Sequence, residues 1–196
     1  MQFESQCFNK SILEYVTFPE YDMLYTDPPW GDGMVKFFIT QKEKDTGRRD
    51  AFDLNDILTK LAALSITDKP MFIEYSIKGH EHVIEVMQSA GHTFCSKKEL
   101  RQTNSRPYVI LVFNSEYCIK DGLIGFDVVR GIVKSLRPSV VFDPFAGIGK
   151  TAAAVIESGS GYVGSEFNMA RFDRLKNVIE TAENRLKWQQ ERQKRN

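Results

Sequence analysis

Along the chain, apolar runs of strand length alternate with stretches whose apolar residues recur every three or four positions. The runs at 3–8, 22–26, 71–75, 92–95, 108–113, 139–142 and 161–165 predict seven strands. Helical spacing appears in Leu54, Ile57, Leu58, Leu61 and Leu64, and in a shorter set of Val83, Ile84 and Met87. It returns in Phe126, Val129, Ile132, Val133 and Leu136, in a helix that ends near Ser158, and in Met169, Phe172, Leu175, Ile179, Ala182 and Leu186. Alternation of this kind predicts an α/β fold with a doubly wound, mostly parallel seven-stranded sheet. The runs at 92–95 and 108–113 follow one another through a polar loop and predict one antiparallel hairpin at the edge. Residues 31–52 read as a single long loop, and long loops in compact domains are often functional.

Length and composition narrow the picture. With 196 residues, 42% hydrophobic and 12% aromatic, the chain can bury one core, and positions 1–196 read as a single domain. Lys plus Arg and Asp plus Glu number 26 each, which excludes nucleic-acid binding through bulk charge and leaves local patches. The basic stretches are 183–196, expected as a helical tail, and 96–107. No apolar run is long enough to span a membrane, and the first residues lack a secretory pattern. The three cysteines, Cys7, Cys95 and Cys118, are far apart. They point to no disulfide framework or zinc site and to a cytoplasmic location, with Cys95 packed on its strand. Gly79-His-Glu-His82 offers no third ligand, so no metal is expected.

Two motifs follow predicted strands directly, where open α/β sheets bind their ligands. In Val141-Phe-Asp-Pro-Phe-Ala-Gly-Ile-Gly149 a strand runs into a glycine turn and then a helix. Gly147 and Gly149 allow the backbone close to a ligand, and Glu166, nineteen positions beyond Gly147, stands where nucleoside-binding units place a carboxylate for ribose hydroxyls. Pro144-Phe-Ala-Gly-Ile-Gly-Lys-Thr151 nearly matches a phosphate loop, but Pro144 replaces the glycine that opens the cradle. The second motif, Asp27-Pro28-Pro29-Trp30, fixes a carboxylate, a backbone carbonyl and a large aromatic in one rigid turn. That set suits a planar heterocycle with an exocyclic amine: Trp30 stacks on the ring while Asp27 and the Pro28 carbonyl accept the amine hydrogens. The bland alternative is a strand-ending turn with Trp30 in the core.

Together the motifs resemble those of the S-adenosylmethionine-dependent DNA amino-methyltransferases. Asp27-Pro28-Pro29-Trp30 resembles their catalytic motif in the adenine-N6 form, and Asp143-Pro-Phe-Ala-Gly-Ile-Gly149 their cofactor motif. The catalytic motif comes first here, as in the permuted, beta-class order. The resemblance implies a Rossmann-like methyltransferase fold and S-adenosyl-L-methionine as methyl donor. It implies that Asp143, Phe145, Gly147 and Gly149 hold the methionine end, Glu166 the ribose, and Phe167 one face of the adenine. Asn9 sits where many relatives carry an acid near that adenine. It also implies a nucleic-acid substrate, DNA before RNA, with the target base flipped out of the duplex.

Family members that read a sequence usually carry a sizeable recognition insert, and none is evident. Candidate nucleic-acid contacts are Lys42, Lys44, Arg48 and Arg49 in the 31–52 loop, Lys97, Lys98, Arg101 and Arg106 in the second basic stretch, and the C-terminal tail. A short or relaxed sequence preference follows, or specificity supplied by a homodimer or partner subunit. RNA adenine or DNA cytosine-N4 methylation keeps the same amine chemistry. A non-catalytic subunit that binds cofactor or nucleic acid is the reading from a different class, and the intact Asp27 and Trp30 weigh against it.

Overall fold

Apolar residues on both faces of most strands demand cover on both sides, and the chain supplies it with helices. The structure, a computed structural model, describes residues 5–47, 50–101 and 107–195. Among these, β1 (Gln6–Phe8), β2 (Met23–Thr26), β3 (Met71–Ser76), β4 (Phe94–Leu100), β5 (Tyr108–Phe113), β6 (Val140–Asp143) and β7 (Gly161–Ser165) form one sheet in the order β1-β7-β6-β2-β3-β5-β4. All neighbours pair in parallel except that β5 runs against both β3 and β4. The antiparallel edge hairpin is therefore present, with β4 itself pointing the same way as β3.

The helices α4 (Phe126–Leu136), α5 (Lys150–Glu157) and α6 (Met169–Arg195) cover one face of the sheet. The other face is covered by α1 (Asp32–Thr46), α2 (Leu54–Leu64), α3 (His80–Ser89) and a short 3-10 turn, Ile12–Glu14. The β2-to-β3 connection thus runs over one face and the β6-to-β7 connection over the other. Because β2 and β6 are adjacent, a crevice opens where their connections diverge. Both chemical motifs follow these two strands.

Three expectations are corrected. Residues 32–46 are helix, not loop: Val35 and Ile39 are buried one turn apart, Gly31 and Gly47 bound the segment, and the Gly47 N–H donates to the Glu43 carbonyl. The dense charges of Lys42-Glu-Lys-Asp45 masked that short apolar stripe. Strand β4 begins at Phe94 and runs to Leu100, so Lys97 and Lys98 lie on a strand. Its polar, alternating sequence is that of an edge strand with one face open to solvent. Cys95, expected to be packed, is exposed there. Strand β1 is described only from Gln6; Phe3 and Glu4 lie outside the described residues.

A buried histidine ties α2 to the loop after β5. His92 is used at both ring nitrogens: Nε2 lies 3.1 Å from the Ala62 carbonyl, and Nδ1 lies 3.0 Å from Asn114 Nδ2, whose N–H it accepts. The neutral ring satisfies both bonds, and burial pushes its pKa down. A histidine with a depressed folded pKa contributes stability above its unfolded pKa, and that stability is lost as pH falls through the folded value. Asp143 works in the opposite sense, since burial lifts it to about 7 and its contribution fades as pH rises through that value. The two are separated by difference: between pH 7 and pH 5, His92→Gln should lose less thermal stability than the parent chain.

Candidate active site

Thr26, the last residue of β2, donates from Oγ1 to Asp143 Oδ1 at 2.8 Å and so clamps the ends of the two central strands together. The next residues, Asp27-Pro28-Pro29-Trp30, turn back over the crevice. The Trp30 indole N–H donates to Asp27 Oδ1 at 2.6 Å, which fixes the carboxylate within its own turn. The Trp30 ring lies roughly parallel to Tyr108 of β5, with 6.5 Å between centroids. Trp30 is half-buried, so the aromatic expected to receive a base is braced from the sheet.

The glycine turn is built on Asp143. Its carboxylate accepts the Phe145 N–H at 3.0 Å and the Tyr162 hydroxyl at 3.4 Å, in addition to Thr26. It lies beneath the turn, outside the cavity wall, and its contacts hold the loop in shape. Gly147 (φ +58°) faces Arg171: a β-carbon there would lie 2.7 Å from Nη2 of that side chain. Gly149 (φ +90°) faces α6 instead, and its β-carbon would press on Val178 at 3.0 Å. The two glycines thus have different duties, one toward the crevice and one toward helix packing.

Beyond β7, Glu166 Oε1 accepts the Asn168 N–H at 2.8 Å, while Oε2 lies 3.6 Å from Arg171 Nε. Burial raises the Glu166 pKa, and the Asn168 N–H and Arg171 oppose that rise. Asn9 donates from Nδ2 to the carbonyl oxygens of Glu166 (2.8 Å) and Phe167 (3.4 Å), so it tethers this corner to β1. Lys42 Nζ stands 4.0 Å above the Phe167 ring, and Phe52 meets the same ring edge-on at 5.8 Å.

These parts enclose a cavity of about 390 Å³. Its wall contains Asp27, Pro28, Pro29, Trp30, Phe145, Glu166 and Phe167, so the two motifs share one chamber. It also contains residues that the sequence alone did not single out: Lys10, Ser11, Met34, Phe38, Phe52, Ser76, Ser165 and Arg171. Met34, Val35 and Phe38 enter because α1 lies over the chamber. Only the helical register of 32–46 could have found them. The Arg171 guanidinium stacks 4.9 Å from the Phe38 ring, and its buried Nε has no hydrogen-bond partner.

The chamber wall carries two carboxylates, Asp27 and Glu166, and two cations, Lys10 and Arg171. Asp27 reaches solvent through the mouth, yet protein surrounds its inner side, and its pKa is raised. Desolvation contributes most, followed by the nearby charge of Glu74; the Trp30 hydrogen bond opposes both. Glu74 on β3 was not anticipated from sequence. It is raised by burial as well, with the Tyr25 hydroxyl (3.2 Å to Oε2) and Lys150 holding it down.

The predicted basic contacts separate into groups. Lys42 and Lys44 lie on α1; Lys42 also pairs with Asp50 at 3.2 Å. Lys97 Nζ donates to His80 Nε2 at 2.8 Å, and Lys98 is paired with Asp121. Arg101 follows the end of β4, on the side of the sheet from which the motifs emerge. Arg48, Arg49 and Arg106 lie outside the described residues. The C-terminal tail does not border the crevice. Helix α6 starts beside β7 and runs about 40 Å to the far edge, where Leu186, Lys187 and Gln190 line a groove with Ser139 and Gly161 at the starts of β6 and β7. Among the described residues no group of three His, Cys, Asp or Glu is placed to hold a metal, and no helix is long and apolar enough to cross a membrane.

No protein-family model and no curated protein matches the sequence. Solved structures do match. The crystal structure of M1.HpyAVI is 15% identical over 89% of this chain and 98% of that one, with a TM-score of 0.60. TTHA0409 of Thermus thermophilus, described as a putative DNA modification methylase and solved with S-adenosyl-L-methionine, is 13% identical over 91% and 96%, with a TM-score of 0.65. The cytosine-N4-specific PvuII DNA methyltransferase is 11% identical over 93% and 94%, with a TM-score of 0.51. The chain therefore has the mixed seven-stranded α/β fold shared by these methyltransferases.

Proposed function

We propose that this chain is an S-adenosyl-L-methionine-dependent methyltransferase acting on the exocyclic N6 amine of adenine in DNA. The observation that carries the proposal is the shared chamber: an amine-binding turn, Asp27 to Trp30, and a nucleoside-binding corner, Glu166 and Phe167, open onto one cavity. The residues fit the donor. The cavity lies within the usual range for small-molecule sites, Glu166 presents a carboxylate for ribose hydroxyls, and Phe167 presents an aromatic face. Arg171, ion-paired to Glu166 through an Nε that makes no hydrogen bond, adds a cation beside Gly147 for the donor's carboxylate end. Asp143, Phe145 and Gly149 shape the turn, and Asn9 holds the Glu166–Phe167 backbone.

Bound there, S-adenosyl-L-methionine supplies a methyl group already activated on a sulfonium. What remains for the protein is alignment and charge stabilisation. An exocyclic amine is a weak nucleophile because its lone pair is delocalised into the ring. Asp27 and the Pro28 carbonyl, each accepting one amine hydrogen, favour a pyramidal nitrogen and stabilise the positive charge that develops on it. Trp30, braced by Tyr108, stacks on the flipped base; such stacking is typically worth ~1–3 kcal/mol, comparable to the cost of unstacking. Among the predicted basic contacts, Lys44 on α1 and Arg101 after β4 are exposed and suited to the phosphate backbone. Short or relaxed sequence preference goes with this compact frame, with any further specificity supplied by a second copy or a partner subunit.

Cytosine-N4 methylation is the second reading, favoured by the fold shared with a cytosine-N4-specific enzyme. Labelled methyl transfer to unmethylated DNA and, in parallel, to RNA, followed by nucleoside mass analysis, decides among these. The expected product is N6-methyladenine in DNA. N4-methylcytosine, or product in RNA alone, replaces the substrate assignment. Absence of both transfer and calorimetric binding of S-adenosyl-L-methionine overturns the proposal.

A further inference from the structure

Strand β3 reads Met71-Phe-Ile-Glu-Tyr-Ser76 and lies inside the sheet between β2 and β5. Its one charged residue is Glu74. An ionised carboxylate in an apolar strand carries a desolvation cost, and an ordinary structural contact here needs no charge. What surrounds Glu74 indicates what the charge does. The pairing of β2 with β3 sets Tyr25 beside Phe72 and Thr26 beside Ile73. Carried one residue further, the register sets Asp27 beside Glu74. The hydroxyl of Tyr25, which is buried in the sheet, donates to Glu74 Oε2 at 3.2 Å. On its other side, Asp27 receives the Trp30 indole N–H at 2.6 Å. Two carboxylates, Asp27 in the chamber wall and Glu74 on the adjoining strand, are thus each oriented by one neutral donor from β2 or its turn, and the charge of Glu74 acts on Asp27.

We propose that Glu74 is the second carboxylate of the reaction centre, a positioning residue that pairs with Asp27 so that the two together take up the proton the methylated amine must lose. The proposal rests on the methyl-transfer reading above. When the amine nitrogen bonds to the methyl carbon, the electron pair of the broken carbon–sulfur bond stays on sulfur. The nitrogen becomes positively charged and sheds one of its two protons. Asp27, hydrogen-bonded to that N–H, accepts it. With Glu74 adjacent, the pair holds one proton between two carboxylates, as like charges in a shared site do, and releases it to solvent through the cavity mouth. A lone aspartate on a solvated turn would be a weaker acceptor, because its proton affinity would be that of an ordinary carboxylate.

The other titratable groups acting on the pair are known by element. Asp143 on β6 adds to its proton affinity, whereas the Tyr25 hydroxyl on β2, Lys150 at the start of α5 and Arg171 on α6 reduce it. Lys98, in the same cross-strand row as Glu74 and Ile110, is engaged by Asp121. Lys150 is exposed, so removing it perturbs the pair without touching the core.

The test reads Asp27 independently of turnover. The chain has two tryptophans, and Trp188→Phe on the exposed end of α6 leaves Trp30 as sole reporter of the carboxylate its N–H touches. In that background, Trp30 emission is titrated across the acid and neutral range, and the acid limb of single-turnover methyl transfer to DNA is measured alongside. Glu74→Gln, which keeps an acceptor for Tyr25, should move both midpoints down by about one pH unit or more. Glu74→Asp should hold them near the parent values, and Lys150→Ala should move them up. Midpoints unchanged in both Glu74→Gln and Lys150→Ala overturn the pairing. A shifted emission midpoint in a chain that methylates neither DNA nor RNA overturns the methyl-transfer reading, and the proton-uptake role with it.

Discussion

Asp27→Ala should lower methyl transfer by about 10²–10³-fold while leaving the fold intact. The magnitude is that of removing one preorganised electrostatic group from a reacting centre. The hydrogen bond to the carboxylate comes from Trp30, three residues away in the same turn, and ties it to no helix or strand of the core. Burial and Glu74 already raise its pKa, so at neutral pH the ionised group costs folding free energy. Its removal should therefore leave the thermal midpoint unchanged or raise it, the usual trade between activity and stability at a working site. Asp27→Asn separates the two duties of the side chain. The amide oxygen still accepts one hydrogen bond but carries no charge, so the variant should keep part of the rate and lose the acid limb that comes from protonating Asp27. That limb should lie above the ordinary carboxylate range in the parent chain, because the shift is upward and activity requires the ionised form. A variant that is inactive because it is unfolded would show instead a lost melting transition, so both measurements belong together.

Gly149→Ala should be the most damaging single-methyl change in the glycine turn, costing about 2–4 kcal/mol of stability. Two costs add. At φ +90° an alanine is in a backbone region that L side chains rarely adopt, and its β-carbon would lie 3.0 Å from Cβ and Cγ1 of Val178 and 3.2 Å from Leu175 Cδ1. Val178 is β-branched and stiff at χ1, and Leu175 is fully buried, so neither can withdraw without shifting α5 against α6. In a chain of this length the thermal midpoint should fall by roughly 5–15 °C. Gly147→Ala offers the contrast. Its β-carbon meets only the far end of Arg171, a flexible side chain that can swing aside. The stability cost should be smaller, while affinity for S-adenosyl-L-methionine, read by calorimetry, should drop because Arg171 is displaced from the crevice. Equal losses of stability for the two variants would contradict this division of labour between the glycines.

The division also explains a difference between motif and geometry. Read as a string, Asp143-Pro-Phe-Ala-Gly-Ile-Gly149 is one ligand-binding feature. In the fold its members divide: Asp143 buttresses the turn from below, Gly147 leaves room for Arg171 in the crevice wall, and Gly149 lets two helices meet. Spacing along the chain cannot separate these roles, because each depends on what the turn meets across the sheet.

Local patterns in the chain carry the α/β architecture, the antiparallel edge hairpin, and the two strand-ending motifs. These are legible because apolar periodicity, proline rigidity and glycine turns act within a few residues. The same patterns do not disclose α1, whose two buried side chains, Val35 and Ile39, are embedded in a run of charges that favour no face until a sheet lies beneath them. Nor do they disclose that the basic tail leaves from the edge opposite the crevice, since the direction of α6 follows from the direction of β7 and not from its own charges. It is the packing of distant segments that sets Lys42 over Phe167, ties Lys97 and Lys98 to His80 and Asp121, and stands Arg171 and Glu74 beside the motif residues. Each of these is a contact between groups far apart in sequence. Parallel strands β2, β6 and β7, joined by crossovers on opposite faces, bring their ends within a few ångströms of one another, and the chemistry arises there from side chains that no local pattern links.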